Sequence, residues 1–343
     1  MLVLPFNRTE SQAAASYALF GKLPNRPDFV RVNATHPVAL EFDQLIQQAC
    51  ERQEPPGDGA EPVDFQYISQ DQRHVMIGAL MPSQDQAGRR YPLVAAAILP
   101  RESVENYLAV SPIAYEVFFD GLREQVVNAV DNSVEALSCR QFLESSLRSQ
   151  DAAAEDLELA GSVVARFLET QPAHRMADLL AAGPCPAPLS QAVLNAGFYQ
   201  AYLRRFDHRS TNQLILLPLS SHKGEQALMA STWLSILAAL WSGAGIGQPW
   251  RGSYLLVRRP NIGAQLVATV GRIPDSFAAV LLGAPIEPAM LLDLGTENDA
   301  WKSHRMYAES AYALGRILAD PDCRLAALCS FLGDMGRQLA RNI

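Results

Sequence analysis

A chain of 343 residues, 49% of them apolar and 19% charged, with a mean hydropathy of zero, has the length for one large or two ordinary domains and the profile of a globular protein. Its formal net charge of −8 and pI near 5.3 argue against nucleic acid or an anionic membrane as the main target, because the field of the whole chain repels both. Five scattered cysteines without a CxxC pair (Cys50, Cys139, Cys185, Cys323 and Cys329) indicate neither a disulfide framework nor a zinc site.

The opening MLVLPFNRTESQ has too short an apolar patch for a signal peptide, so a cytoplasmic location is expected. Residues 1–16 read as a lead-in. Residues 17–31, YALFGKLPNRPDFVR, read as extended chain and turn, punctuated by Gly21, Pro24 and Pro27 and anchored by Tyr17, Phe20, Leu23 and Phe29. Between the anchors stand Lys22, Arg26, Asp28 and Arg31. Thr35-His36-Pro37 opens a helix, with proline in the first turn where its missing amide costs nothing. Val38, Phe42, Leu45 and Ala49 or Cys50 follow along one face.

After the Pro/Gly-rich stretch 51–62, the alternation of Val63, Phe65 and Tyr67 with polar residues predicts a half-buried strand. The apolar runs 74–81 and 93–99 predict two buried strands, and short connections make all three antiparallel. Residues 82–90 are then a solvent-facing hairpin loop. Ser83, Asp85, Arg89 and Arg90 on it either close the loop through an Asp85–Arg89 pair or face a partner.

Helices are expected over 113–130, 134–147, 157–168, 189–206, 227–241, 307–318 and 324–339, and from Pro274 onward. Strands are expected at 212–219, 253–258 and 264–270. The uncharged stretch 227–247, interrupted by Ser and Gly and carrying Trp233 and Trp241, reads as a buried core helix rather than a membrane span. Trp250 and Tyr254, at a strand entry, are expected to be partly exposed. A drop in hydrophobicity over 148–158 places a division into 1–148 and 149–343. The predicted fold is α/β of the α+β type: small, mainly antiparallel sheets flanked by helices in two subdomains.

Chemistry-bearing motifs are sparse. No GxSxG, HExxH or Walker loop occurs, the six histidines show no ligand spacing, and GAGIG at 243–247 follows a helix, where glycine serves as a helix stop. Asp207, His208 and Ser210 are neighbours in sequence, which says nothing about a triad assembled in space. No cofactor, metal or catalytic residue is assigned.

FGKLPNRPDFVR, a helix containing Phe42-Asp43 and GALMPSQDQAGRRYPL together resemble the TagF family, also called ImpM, accessory proteins of bacterial type VI secretion. The family's G-K-L-P-x-x-G-D-F segment is matched at Gly21, Lys22, Leu23, Pro24, Asp28 and Phe29. Its hairpin is matched at Gly78, Leu80, Pro82, Ser83, Asp85, Gly88, Arg89, Pro92 and Leu93. WRGSYLLV and GRIPDSFAAVLLG, within 250–283, resemble later family segments. Pro27 replaces a glycine, Tyr254 stands where a tryptophan is usual, and helices between about 150 and 245, with a C-terminal extension, are additional.

The resemblance implies a TagF-like N-terminal domain over 1–148 and a C-terminal α/β domain. It also implies a cytoplasmic, non-catalytic regulator that restrains secretion after translation by binding a forkhead-associated scaffold protein, without nucleic acid or membrane insertion. Lys22, Arg26, Asp28, Arg31, Ser83, Asp85, Arg89 and Arg90 are the expected partner-binding residues. A hydrolase with its site between the two halves, or a structural component of the secretion apparatus, are the other readings.

Overall fold

Two apolar runs without a charged residue, Val75–Met81 and Leu93–Leu99, lie side by side near the middle of the molecule. The computed structural model describes residues 16–52, 60–132, 136–148, 150–181, 188–203, 214–243, 252–259, 263–269, 273–282, 291–297 and 299–341. Strands β1 (Ser16–Gly21) and β2 (Val30–Val32) lead to helix α1 (Pro37–Arg52), followed by β3 (Val63–Ile68), β4 (His74–Met81) and β5 (Leu93–Pro100). Then come short helices α2 (Arg101–Val104) and α3 (Ser111–Ala114), and α4 (Glu116–Asp131), α5 (Leu137–Arg148), α6 (Gln150–Thr170), α7 (Ala173–Ala181) and α8 (Leu189–Leu203). The chain continues through β6 (Leu214–Pro218), α9 (Lys223–Gly243), β7 (Tyr254–Arg259), β8 (Gly263–Thr269), α10 (Asp275–Leu281) and β9 (Leu291–Asp293). It ends in α11 (Asp299–Lys302), α12 (Tyr307–Leu318) and α13 (Leu325–Arg341).

All the strands belong to one nine-stranded sheet in the order β2-β1-β5-β4-β3-β7-β8-β6-β9. Every pairing is antiparallel except β6 with β9. The α/β class and the antiparallel pairing of β3, β4 and β5 agree with the sequence. The strands expected in separate small sheets are joined where β3 pairs with β7, Phe65 opposite Leu255. The stretch chosen for the division carries the start of α6, and the sheet runs on across it. Helices α7 and α11 and strand β9 are additions to the predicted elements.

One face of the sheet is covered by α1 and α10 over a single apolar core. It holds Phe20, Val63, Phe65 and Leu80 from the first half and Leu214, Leu255, Val257 and Val267 from the second. Phe42 of α1 stacks on Phe65 at 4.6 Å between ring centres, so the aromatic of the Phe42-Asp43 pair is a core residue. Ile46 takes a buried place on α1 that the sequence reading gave to Leu45, which is half-buried.

The opposite face is divided. Helices α4 and α5 pack over β1, β4 and β5 through Leu122, Val126, Cys139 and Leu143. Helices α8, α9 and α13 pack over β6, β7 and β8 around Trp233, whose indole N–H donates to the Pro218 carbonyl at 2.8 Å. Helix α9 is thus a core helix, and no described helix is long and apolar enough to cross a membrane.

Because α3 and α4 roof this face, the polar residues that alternate along β3 do not meet solvent. Asp64 and Gln66 are both fully buried, which corrects the half-buried strand expected there. Tyr254, expected to be partly exposed, is likewise fully buried.

Candidate functional site

The two sequence segments singled out above meet at the end of the sheet beside β1 and β4. After β1 the chain turns at Pro24 and Asn25, where the Arg26 amide donates to the Leu23 carbonyl at 3.0 Å, and Leu23 is buried under α4 and α5. After β4 the loop 82–90 folds around one side chain. Asp85 Oδ1 accepts the amides of Ala87 at 3.0 Å and Arg89 at 2.9 Å. Its Oδ2 accepts Arg89 Nε at 2.7 Å and pairs with Lys22 Nζ at 3.2 Å. The Gly88 amide donates to the Asp85 carbonyl, and Gly88 has φ +78°, the left-handed backbone region that glycine adopts readily.

Asp85 thus holds the loop by an Asx-type turn as well as by charge. Burial pushes its carboxyl up, but the Arg89 amide and the Lys22 and Arg89 side chains outweigh this and bring it down to about 2.

Three contacts stitch the loop to the first segment. Besides the Lys22–Asp85 pair, the Gln86 amide donates to the Arg26 carbonyl at 3.0 Å and Arg89 Nη2 donates to the Pro27 carbonyl at 2.9 Å. Arg89 thus reaches the backbone of the first segment at Pro27, and the neighbouring Asp28 is exposed. A second cluster adjoins the first. Arg31 lies 4.8 Å over the Phe29 ring and 3.8 Å from Asp43. Asp43 of α1 accepts the Tyr91 hydroxyl, and Phe29 meets Tyr91 edge-on at 5.0 Å. Burial and the Asp43 carboxylate both push the Tyr91 hydroxyl up, so it stays a donor.

The expected partner-binding residues therefore divide into two groups. Arg26, Asp28, Arg31, Arg89 and Arg90 are exposed. Ser83 and Asp85 are buried, a correction to the expected solvent-facing loop, and Lys22 is mostly covered where it meets Asp85. Arg89 clamps Asp85 while its side chain keeps 64% of its surface exposed.

Sequence reasoning missed a second polar assembly, under α3 and α4. Asp64 Oδ2 accepts Arg258 Nη1 at 3.0 Å and Nη2 at 3.1 Å and also accepts Arg123, which reaches on to Asp120. Next along β3, Gln66 Oε1 accepts the Ser111 hydroxyl at 2.6 Å, and Tyr254 OH lies 3.0 Å from that hydroxyl. The signal was present as Asp64 and Gln66 alternating within a strand, a pattern that also fits a solvated face.

Trp250, the 243–247 glycines except Gly243, and Asp207, His208 and Ser210 lie outside the described residues. Among the described residues no three His, Cys, Asp or Glu converge to hold a metal.

No curated protein matches the chain. The crystal structure of PA0076 from Pseudomonas aeruginosa PAO1 superposes with a TM-score of 0.40 at 16% identity, over 80% of this chain and 99% of that one. A family model for the TagF N-terminal domain, type VI secretion system-associated, matches residues 18–146, the span that contains both stitched segments and the Phe42-Asp43 helix. Over those residues the chain thus carries a TagF N-terminal domain, which is type VI secretion system-associated.

Proposed function

We propose that this protein is a non-enzymatic regulator of type VI secretion. It would act in the cytoplasm as a post-translational repressor by binding a forkhead-associated scaffold protein. The observation that carries the reading is the union of two segments about 60 residues apart into one surface with Arg26, Arg31, Arg89 and Arg90 at its exposed edge. Loops held by rigid strands are where binding residues concentrate, and here a buried Asp85 fixes the loop so that its arginines are presented in a set geometry. The hydrolase alternative gains no support from the cleft between the halves, whose described lining contains no histidine beside an Asp or Ser.

The test uses the exposed arginines and leaves Asp85 alone. Arg31→Gln/Arg89→Gln, which removes both charges without setting a carboxylate against Asp43 or Asp85, should release secretion in the native cells and reduce co-purification of the scaffold protein, with the fold retained. A folded variant that still represses secretion and still captures the scaffold would overturn the assignment of this surface.

A further inference from the structure

The sheet ends on one side in β2, which pairs with β1 through Val30, Arg31 and Val32 and has no described strand on its outer side. Antiparallel pairing uses the N–H and C=O of alternate residues, so the other backbone groups of β2 point outward. Among the described residues they make no hydrogen bond outside the ladder to β1. This open edge is held in place, because the segment leading into it is stitched to the loop 82–90 by the Gln86 amide and by Arg89.

The side chains of β2 face two ways. Val30 and Val32 are half-buried against the core under α4 and α5. Arg31 lies on the α1 side, over the Phe29 ring and 3.8 Å from Asp43, with 63% of its side chain exposed. An arginine on an edge strand guards against self-association. The two valines that flank it do the opposite, since a strand laid beside them covers apolar surface that solvent now reaches.

The charge around this edge runs against that of the whole chain. Lys22, Arg26, Arg31, Arg89 and Arg90 stand with Asp28, Asp43 and Asp85, five cations to three carboxylates, on a chain whose formal net charge is −8. The corner is therefore positive by two charges and attracts an acidic partner.

We propose that β2 receives an extended segment of a partner protein as a further strand, with an apolar–acidic–apolar alternation. Its carboxylate would sit opposite Arg31, and the apolar residues on either side of it would lie beside Val30 and Val32. Past Val30 the chain enters the stitched segment, where Arg89 reaches the Pro27 carbonyl, so further carboxylates on the partner's segment enter the same positive field. A second copy fits poorly, because two-fold pairing of β2 with itself sets the two copies of Arg31 against each other. The proposal rests on the reading of this surface as the partner-binding one and adds that the partner is held through its main chain.

The full chain is titrated calorimetrically with a blocked peptide of alternating Val and Glu, and hydrogen exchange is followed by mass spectrometry. The peptide should bind saturably and slow exchange at Val30, Arg31 and Val32. Its affinity should fall about fivefold in Arg31→Gln, the scale of an opposite-charge cross-strand pair, and stay unchanged in Arg316→Gln on the separate helix α12. Peptides of alternating Val and Lys or alternating Ser and Glu should bind more weakly, and N-methylation of the Val/Glu backbone should abolish binding. Equal binding of the N-methylated peptide, protection at the other edge strand β9 instead of β2, or no saturable binding overturns the proposal. Protection of β2 that rises with protein concentration without peptide assigns the edge to a second copy and also overturns it. If Arg31→Gln/Arg89→Gln loses the scaffold protein while β2 shows no protection by the peptide, the regulatory surface stands and strand addition alone fails.

Discussion

Replacing Arg123 and Arg258 by Met, singly and together, examines the charge cluster that joins the two halves of the sheet. Asp64 is fully buried, and the arginine side chains are 22% and 18% exposed, so solvent screens the group weakly. In the parent, burial pushes the Asp64 carboxyl up against the pull of Arg258 and Arg123. Each single substitution leaves one guanidinium on the carboxylate and should cost about 1.5 kcal/mol, the scale of a charge-assisted hydrogen bond. The double variant leaves a buried carboxylate with no cation. Its cost is capped by the alternative of taking up a proton, roughly three pH units above the ordinary carboxyl value at about 1.4 kcal/mol each, or about 4 kcal/mol at pH 7.

The pH dependence supplies the sharper readout. With the arginines gone, the folded-state pKa of Asp64 lies well above the unfolded one, so the folded state holds the proton. The double variant should therefore regain stability relative to the parent as pH falls below 7, by up to about 1.4 kcal/mol per unit until the parent's own raised Asp64 carboxyl takes up its proton. Urea unfolding followed by tryptophan fluorescence at pH 7, 6 and 5 measures both quantities. Additive costs with a difference from the parent that does not change with pH would refute the picture of a buried carboxylate held ionised by two arginines.

His36 caps α1, its Nδ1 accepting the Val38 amide at 3.4 Å, and its ring lies 4.7 Å from that of His74. Burial and the neighbouring His74 lower its pKa, with Asp71 opposing, so stability present above 6.5 should be lost as pH falls through the depressed value. Melting temperatures between pH 8 and 5 should flatten in His36→Asn, which keeps a capping acceptor but does not titrate. Gly78→Ala places a Cβ 2.3 Å from the Ala95 carbonyl oxygen and 2.5 Å from the Ala96 Cβ, both on β5, and should cost about 1–3 kcal/mol in urea unfolding. Asp85→Ala should lower the melting temperature more than Arg89→Ala, because the buried carboxylate organises two loop amides and two cations while Arg89 is largely in solvent. The stability held by Asp85 should be lost in acid as pH falls from 3.8 toward 2.

Local chemistry made much of the fold legible in advance. Unbroken apolar runs gave β4 and β5, helical spacing gave α1, α4, α12 and α13, and the Asp85–Arg89 pair needs only four residues of chain. The two motif segments meet in space, where Lys22 and Arg89 both reach Asp85. What stayed hidden depends on partners far away in the chain. Asp85 and Ser83 are buried because the 22–27 segment lies across their loop. Alternation along β3 marks two faces but does not say that α3 and α4 cover the second one. Strand spacing likewise does not encode that β3 pairs with β7 some 190 residues later, which joins the halves into one sheet. Sequence periodicity reports a segment's own backbone geometry. Burial, strand order and the pairing of Asp64 with Arg123 and Arg258 depend on which distant segments lie beside and over that one, which only the tertiary structure decides.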